Sequence, residues 1–405
     1  MNRVERFALY VALTALTALA IDGVLPAMPM IEADLEDASP FTGAQIITVF
    51  VFGMAGGELL TGPLSDAVGR RSVVIAGLVV FAIGTIIAAT ADSFAAVIMG
   101  RFLQGVGVAG PKIGTRAMIR DRYAGNDMAQ VMSVIFTLLI LVPMIAPAIG
   151  AVIAAASGWR GVFWAYLVLA LVLGVWLAVR HPETLHPEKK IPLHVRRLVR
   201  NTCTVLGRAD VTPVIIATGF IFGAQLTYFA VAADLFGTLY LQSARMPALF
   251  ALLATGTGAA LLLNVRFVRH TGMGPPILAG LALLGVSGAT LMAAAAFTEG
   301  HPSLAVLLGL AWIGFFALGL LFGNLNALAM RPLGDLAGLS ASIIAATSSL
   351  VAFVFATGVG ALTTSPVWAV AVAFALSATL SAVLISVAIP ARSWGRVLRL
   401  RPPSR

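Results

Sequence analysis

Charge is what this chain has least of. Only 11% of its 405 residues are Asp, Glu, Lys or Arg, against about 25% in soluble domains, and the mean hydropathy is +0.98. So little charge excludes a water-soluble globular fold. Cysteine is nearly absent: the single Cys203 excludes an internal disulfide and any metal or redox centre built from several thiols. The phosphate-cradling pattern G-x-x-x-x-G-K-[ST] does not occur, so the chain carries no nucleotide engine of its own. None of its five histidines lies well inside an apolar run. His181, His186 and His194 fall in a central polar stretch and His270 and His301 in short loops, which argues against a histidine proton relay. The expectation is no cofactor, no metal and no enzymatic activity.

What the chain has instead is apolar length. At 60% hydrophobic, and about twenty residues per bilayer-crossing helix, it can supply about twelve spans. Breaks at charge, proline and glycine place them near 7–30, 41–64, 72–91, 94–119, 128–155, 160–180, 211–240, 247–268, 275–297, 303–330, 338–363 and 366–389. The first run is too long for a signal-peptide core and reads as a retained span. The fold class is therefore all-α and polytopic, with six helices on each side of the polar stretch 181–210. The expected domains are an N-terminal bundle (1–180), a central loop (181–210), a C-terminal bundle (211–390) and a basic tail (391–405).

An even count puts both termini on one side. With that side cytoplasmic, 23 of the 26 basic residues fall at inner ends and only Arg101, Arg160 and Arg245 do not. The bias satisfies the positive-inside rule and explains a pI near 10.5 without nucleic acid. The basic ends are expected to rest on anionic lipid, and the segment 191–206 reads either as an amphipathic helix on the inner leaflet or as a solvated linker. The first outer loop carries Glu32, Asp34, Glu36 and Asp37.

Several charges lie where charge is expensive. Arg101 sits roughly 10 Å inside the outer end of span 4 and Asp22 roughly 8 Å below the same face, at 1.5 Å per residue, so the two share a depth and are expected to pair. An acid beside an arginine can hold a proton in one state of wetness and release it in another; a static structural ion pair is the other reading. Glu58, near the inner end of span 2, reads as a gate or second proton site or as an interfacial carboxylate. Asp234 reads as a wetted rim residue or a coupling group. Lys112 either snorkels to the inner mouth or faces a cavity, where it would favour anionic or zwitterionic cargo. Gln104, Phe136, Phe222, Gln225 and Tyr228, near mid-depth, are candidate cavity residues.

Four segments carry a resemblance. Gly62-Pro-Leu-Ser-Asp66-Ala-Val-Gly69-Arg70-Arg71, between spans 2 and 3, resembles the loop signature G-x-L-a-D-r-x-G-r-k of the major facilitator superfamily, departing from it at Ala67. Arg101-Phe-Leu-Gln104-Gly105-Val-Gly107-Val resembles its span-4 motif. Asp22-Gly-Val-Leu-Pro26 matches the D-x-x-x-P pattern of drug:proton antiporters, and Pro143-Met-Ile-Ala-Pro147-Ala-Ile-Gly150 partly matches their span-5 antiporter motif. The exit of span 4 (Arg116 to Tyr123) and span 10 with its exit (Gly319 to Gly338) are similar to the bicyclomycin and chloramphenicol resistance branch, and Gly110 to Gly125 echoes Gly323 to Gly338 as a duplicated unit would.

The resemblance implies a proton-coupled exporter of small molecules in a bacterial inner membrane, working by alternating access as a monomer. It implies that Asp66 with Arg70 and Arg71 latches an inner gate, that Asp22 and Arg101 couple protons, and that Pro143, Pro147 and Gly150 form a hinge and seal. An importer or uniporter on the same fold, an exporter of an anionic metabolite such as a metal chelator, and a non-transporting receptor remain alternatives.

Overall fold

The computed structural model describes residues 1–35, 42–123, 131, 135, 142–363 and 365–388. Every regular element in them is helical: α1 (Arg3–Asp22), α2 (Met28–Asp34), α3 (Gly43–Val68), α4 (Arg70–Ala89), α5 (Phe94–Arg122), α6 (Val142–Arg180), α7 (Val195–Leu206), α8 (Thr212–Asp234), α9 (Met246–Thr271), α10 (Gly274–Phe297), α11 (Leu304–Met330), α12 (Ala337–Leu362) and α13 (Pro366–Ala388). Eleven stretches are long and apolar enough to cross a membrane. The count falls one short of twelve because α6, 39 residues long, is two helices joined at Gly158, where φ is 72° and ψ 176°. Only glycine adopts that conformation without strain, so the two helices, 142–157 and 159–180, meet at this one residue. The expected start of span 5, at 128, lies outside the described residues, as do Glu36, Asp37, Phe136 and the tail from 389.

The chain divides into two compact units, Met1–Thr202 with Ser243–Ala248 and Gly338–Ala346, and Cys203–Gln242 with Leu249–Ala337 and Thr347–Arg405. In the first, α5 packs against α3 and α4, α4 against α6, and α1 against α6. Apolar side chains gain nothing by leaving lipid for another apolar face, so close backbone approach and polar contacts must hold such helices together. Glycine supplies the approach. A Cβ at Gly105 of α5 would strike the Phe50 carbonyl of α3, one at Gly53 the Phe102 carbonyl and one at Gly57 the Val106 carbonyl. On the other side of α5, Gly107 and Gly110 face Gly77 of α4 in the same way.

The ends of these helices are fixed by local polar bonds. Ser93 caps α5 through Ala96 N, and the Glu32 carboxylate accepts the Gly43 amide at 2.5 Å where α3 begins. At this end Asp34 accepts from Trp159 Nε1 and pairs with Arg160 at 2.6 Å, and Arg160 also lies over the Trp159 ring, tying α2 to the second arm of α6.

In the second unit, α8 packs on α13 and α11, and α10 on α11 and α13. Hydroxyls bond between helices here: Ser381 of α13 donates to the Ala217 carbonyl of α8, Ser348 of α12 to Ile215 of α8, Ser287 of α10 to Leu310 of α11 and Thr257 of α9 to Phe315 of α11, at 2.6–3.2 Å. Such bonds are worth about 0.6 kcal/mol each in a membrane protein.

Gly57→Ala is expected to lower the thermal midpoint of the detergent-purified protein by an overpacking cost of about 1–3 kcal/mol. Gly56→Ala, one residue away with nothing within 4 Å of the added carbon, is expected to leave it unchanged or raise it.

Candidate functional site

The helix that carries Asp22 stops there. Pro26, four residues on, has no amide to give to the Asp22 carbonyl, so the long apolar segment Val4–Asp34 is interrupted between α1 and a single 3-10 turn, Leu25–Ala27. The D-x-x-x-P spacing therefore has a direct physical meaning: it breaks the helix at the acid. The side chain is 2% exposed, and its Oδ1 has no hydrogen-bond partner among the described residues. Directly after it, Gly23 meets Gly150, so closely that a Cβ on Gly150 would strike the Gly23 carbonyl. The segment resembling the antiporter motif thus ends against the backbone next to the acid. Pro147 is buried with it, while Pro143 is half-buried.

Arg101 is fully buried but does not pair with Asp22; the ion pairs among the described residues join other groups. Its Nε donates to the Ile46 carbonyl of α3 at 2.9 Å, its Nη1 to Gln104 Oε1 at 2.8 Å, and its guanidinium stands 4.4 Å from the Phe50 ring centre. Gln104 in turn donates to Thr85 Oγ1 of α4 at 2.8 Å, and Thr85 to the Phe81 carbonyl. Gln104 is accordingly no cavity residue: it is wholly buried and orients the arginine. Depth arithmetic places two residues at one height and says nothing of their azimuth, which is why the expected direct pair does not form. Arg101 keeps Nη2 without a partner.

A residue that sequence reasoning missed is in reach of both. Tyr166, on the second arm of α6, donates to the Leu19 carbonyl at 3.0 Å and is within electrostatic reach of both Arg101 and Asp22. Its signal was scarcity, since the chain has only five tyrosines and this one stands inside an apolar span.

One helical stretch further along α5, Lys112 Nζ pairs with Glu58 at 2.5 Å and approaches Met54 Sδ at 3.5 Å. Glu58 is fully covered, and Arg116, one turn beyond Lys112, interacts with the same carboxylate.

The loop signature forms a network at the end of the bundle. Gly62 is buried in α3, and Gly69, at φ 116°, turns the chain from α3 into α4 in one residue. Arg70, 5% exposed, is bound by Asp66, by Ser65 Oγ at 3.2 Å and by Asp121 at 2.8 Å. Arg71 donates to the Ala178 carbonyl. Glu183, from the segment after α6, accepts the amides of Arg70 at 2.9 Å and Arg71 at 3.2 Å, capping α4 where the helix dipole favours a carboxylate. The Ile191 amide reaches the Asp66 carbonyl at 3.0 Å. His181 is not solvated in the loop: it is buried, with Nε2 2.8 Å from Tyr10 Oη, and burial holds its pKa below the usual value.

These motifs agree with comparison to known proteins. Residues 10–357 match the Major Facilitator Superfamily. The chain belongs to that superfamily. Among relatives, the Bicyclomycin resistance protein homolog of Haemophilus influenzae is 28% identical over 305 residues, covering 73% of this chain and 74% of that protein. The MFS-type transporter YdgK of Bacillus subtilis is 27% identical over 349 residues, 84% and 85% of the two chains, and the Multidrug resistance protein MdtL of Klebsiella pneumoniae 27% identical over 346 residues, 82% of each. A crystal structure of the D-xylose-proton symporter shares the fold, with TM-score 0.75 at 14% identity over 94% of this chain and 97% of that one. The protein is therefore a multi-pass transporter of the bacterial inner membrane with a small-molecule substrate, and not an enzyme.

In the second unit of this major facilitator protein, Tyr228 is 1% exposed and packed among Phe229, Phe236, Phe250 and Phe315, so it belongs to an aromatic core and not to a cavity wall. Phe222 makes an edge contact with Phe322 at 5.8 Å, and Gln225 is half-buried. Asp234 is exposed where α8 gives way to a π-helical turn.

Glu183→Ala is expected to lower the thermal midpoint by an amount equivalent to about 1 kcal/mol, the scale of a lost helix cap, and to open the 181–191 segment to protease in the detergent-purified protein.

Proposed function

We propose that the protein is a proton-coupled exporter of small amphipathic molecules, exchanging cargo for protons by alternating access. Two six-helix halves, 1–180 and 211–390, rock about the membrane centre, with both termini and the 181–210 loop cytoplasmic and the basic ends on anionic lipid; one chain suffices.

The observation that carries this reading is the Asp22 carboxylate, buried at a helix break with an oxygen that no described side chain satisfies. An ionised carboxylate needs water or a cation, and burying it without either is costly. Asp22 therefore carries a proton while dry and yields it when water reaches it from the other side. Arg101 and Tyr166 set the local field without neutralising the acid, so its charge can change. The contact of Gly150 with Gly23 supports coupling between that charge and the proline-containing arm of α6, where a small shift opens or closes the packing beside the acid. The Asp66, Arg70 and Asp121 network holds the inner ends of α3, α4 and α5 as one body through the cycle. The antiporter-like segment, and relatives named for bicyclomycin and multidrug resistance, support export over import.

Sealed proteoliposomes with an imposed pH gradient test this. A panel of cationic, neutral and anionic compounds is added while internal pH is followed. Cargo-triggered proton movement in wild type, reduced to background in Asp22→Asn, is the expected result. Correctly folded Asp22→Asn that still moves cargo with an unchanged dependence on the gradient would refute it.

A further inference from the structure

The cations of α5 form a row. Arg101 and Lys112 are eleven residues apart, three helical turns, and Arg116 and Arg120 follow at one-turn steps, so all four share one side of the helix. Arg101 is neutralised by carbonyl, amide and ring contacts within the bundle. The inner part of the row is held differently. Among the described residues Glu58 pairs with Lys112 and lies within electrostatic reach of Arg116, so one carboxylate faces two cations. Arg116 also keeps its Nε buried with no hydrogen-bond partner among the described residues. The two members of the ion pair differ in access: the Glu58 side chain is fully covered, while 19% of the Lys112 side chain is open.

A buried charge persists only where something compensates it. Asp66 and Asp121, closer to the helix ends, are both held by Arg70, and among the described residues neither forms an ion pair with Lys112 or Arg116. We infer that Lys112 and Arg116 form an anion subsite that takes a carboxylate, sulfonate or phosphonate group of the cargo, with Glu58 as the internal counter-ion that holds Lys112 when the subsite is empty. Planar guanidinium and mobile ammonium on adjacent turns suit a group with two or three acceptor oxygens. Met54 against the lysine gives the subsite an apolar wall, so the preferred cargo is an amphipathic anion or zwitterion and not a lipophilic cation. This rests on the transporter reading but not on proton coupling at Asp22.

Glu58 competes with the ligand for the same lysine, and that competition gives the test its sign. The thermal midpoint of the full chain is measured in nanodiscs of zwitterionic lipid, titrated with naphthalene-1-sulfonate or with (1-naphthylmethyl)trimethylammonium, aromatic ions similar in size and opposite in charge. A ligand bound only by the folded state raises the midpoint with occupancy, and the sulfonate is expected to do so saturably while the ammonium does not. Lys112→Gln is expected to weaken the sulfonate's apparent affinity about tenfold, the contribution of one hydrogen bond to a charged group, and Lys112→Arg to retain it. Glu58→Gln releases the lysine and is expected to tighten binding, a result that a purely structural ion pair does not give and that decides the matter even if Lys112→Gln fails to fold. An equal response to both ions, or sulfonate affinity unmoved by Glu58→Gln, overturns the inference. So does loss of the sulfonate response when phosphatidylglycerol is added to the nanodiscs, which assigns the subsite to a lipid headgroup. Binding is read at equilibrium without a gradient, so failure of proton coupling leaves this result untouched.

Discussion

A side chain on Gly53, Gly57 or Gly105 would hold α3 away from α5, and the polar interior of the first unit would come apart with it. Arg101 reaches the Ile46 carbonyl, and Lys112 reaches Glu58, only because the two backbones nearly touch at these glycines. Close approach is also what makes charge tolerable at that depth. An arginine in an apolar interior is stable when a carbonyl, an amide and an aromatic face stand within hydrogen-bonding or cation-π distance, and tight packing of α3 on α5 brings such groups to one guanidinium. The small residues and the buried charges are thus one design.

That packing separates two kinds of buried polar group. Arg101, Gln104 and Thr85 form a chain in which nearly every donor has an acceptor, and such a chain is rigid. Asp22 stands outside it, at the break that Pro26 makes in α1 and under the contact between Gly23 and Gly150. A satisfied network fixes geometry, whereas an unsatisfied acid is the group whose state can change. The arginine is therefore read as a fixed source of field and the aspartate as the moving part.

The helical architecture was legible because apolar runs and their glycine and proline punctuation report on one constraint, the need to satisfy the backbone within each span. The break at Gly158 showed as Ser157-Gly158-Trp159, a short polar interruption between two apolar runs. The site was legible in its members and not in its connections. Asp22, Arg101 and Glu58 were evident as charges in apolar runs. Their partners were not, because spacing along a helix gives height while partners depend on rotation and on neighbouring helices. Tyr166 was hidden for the same reason, and so were the role of Gln104 as an orienting group and the burial of Tyr228 in an aromatic core. The reach of Glu183 to the start of α4 spans more than a hundred residues of sequence, and no local pattern encodes it.

The central claim is that Asp22 gains and loses a proton within the working range of pH. Infrared difference spectra of the protein in nanodiscs, recorded between acid and alkaline buffer, read the carbonyl stretch of a protonated carboxyl directly. The account predicts a band that appears on acidification, vanishes in Asp22→Asn and persists in Glu58→Gln. A band unchanged by Asp22→Asn would contradict it and would leave the aspartate a fixed structural charge.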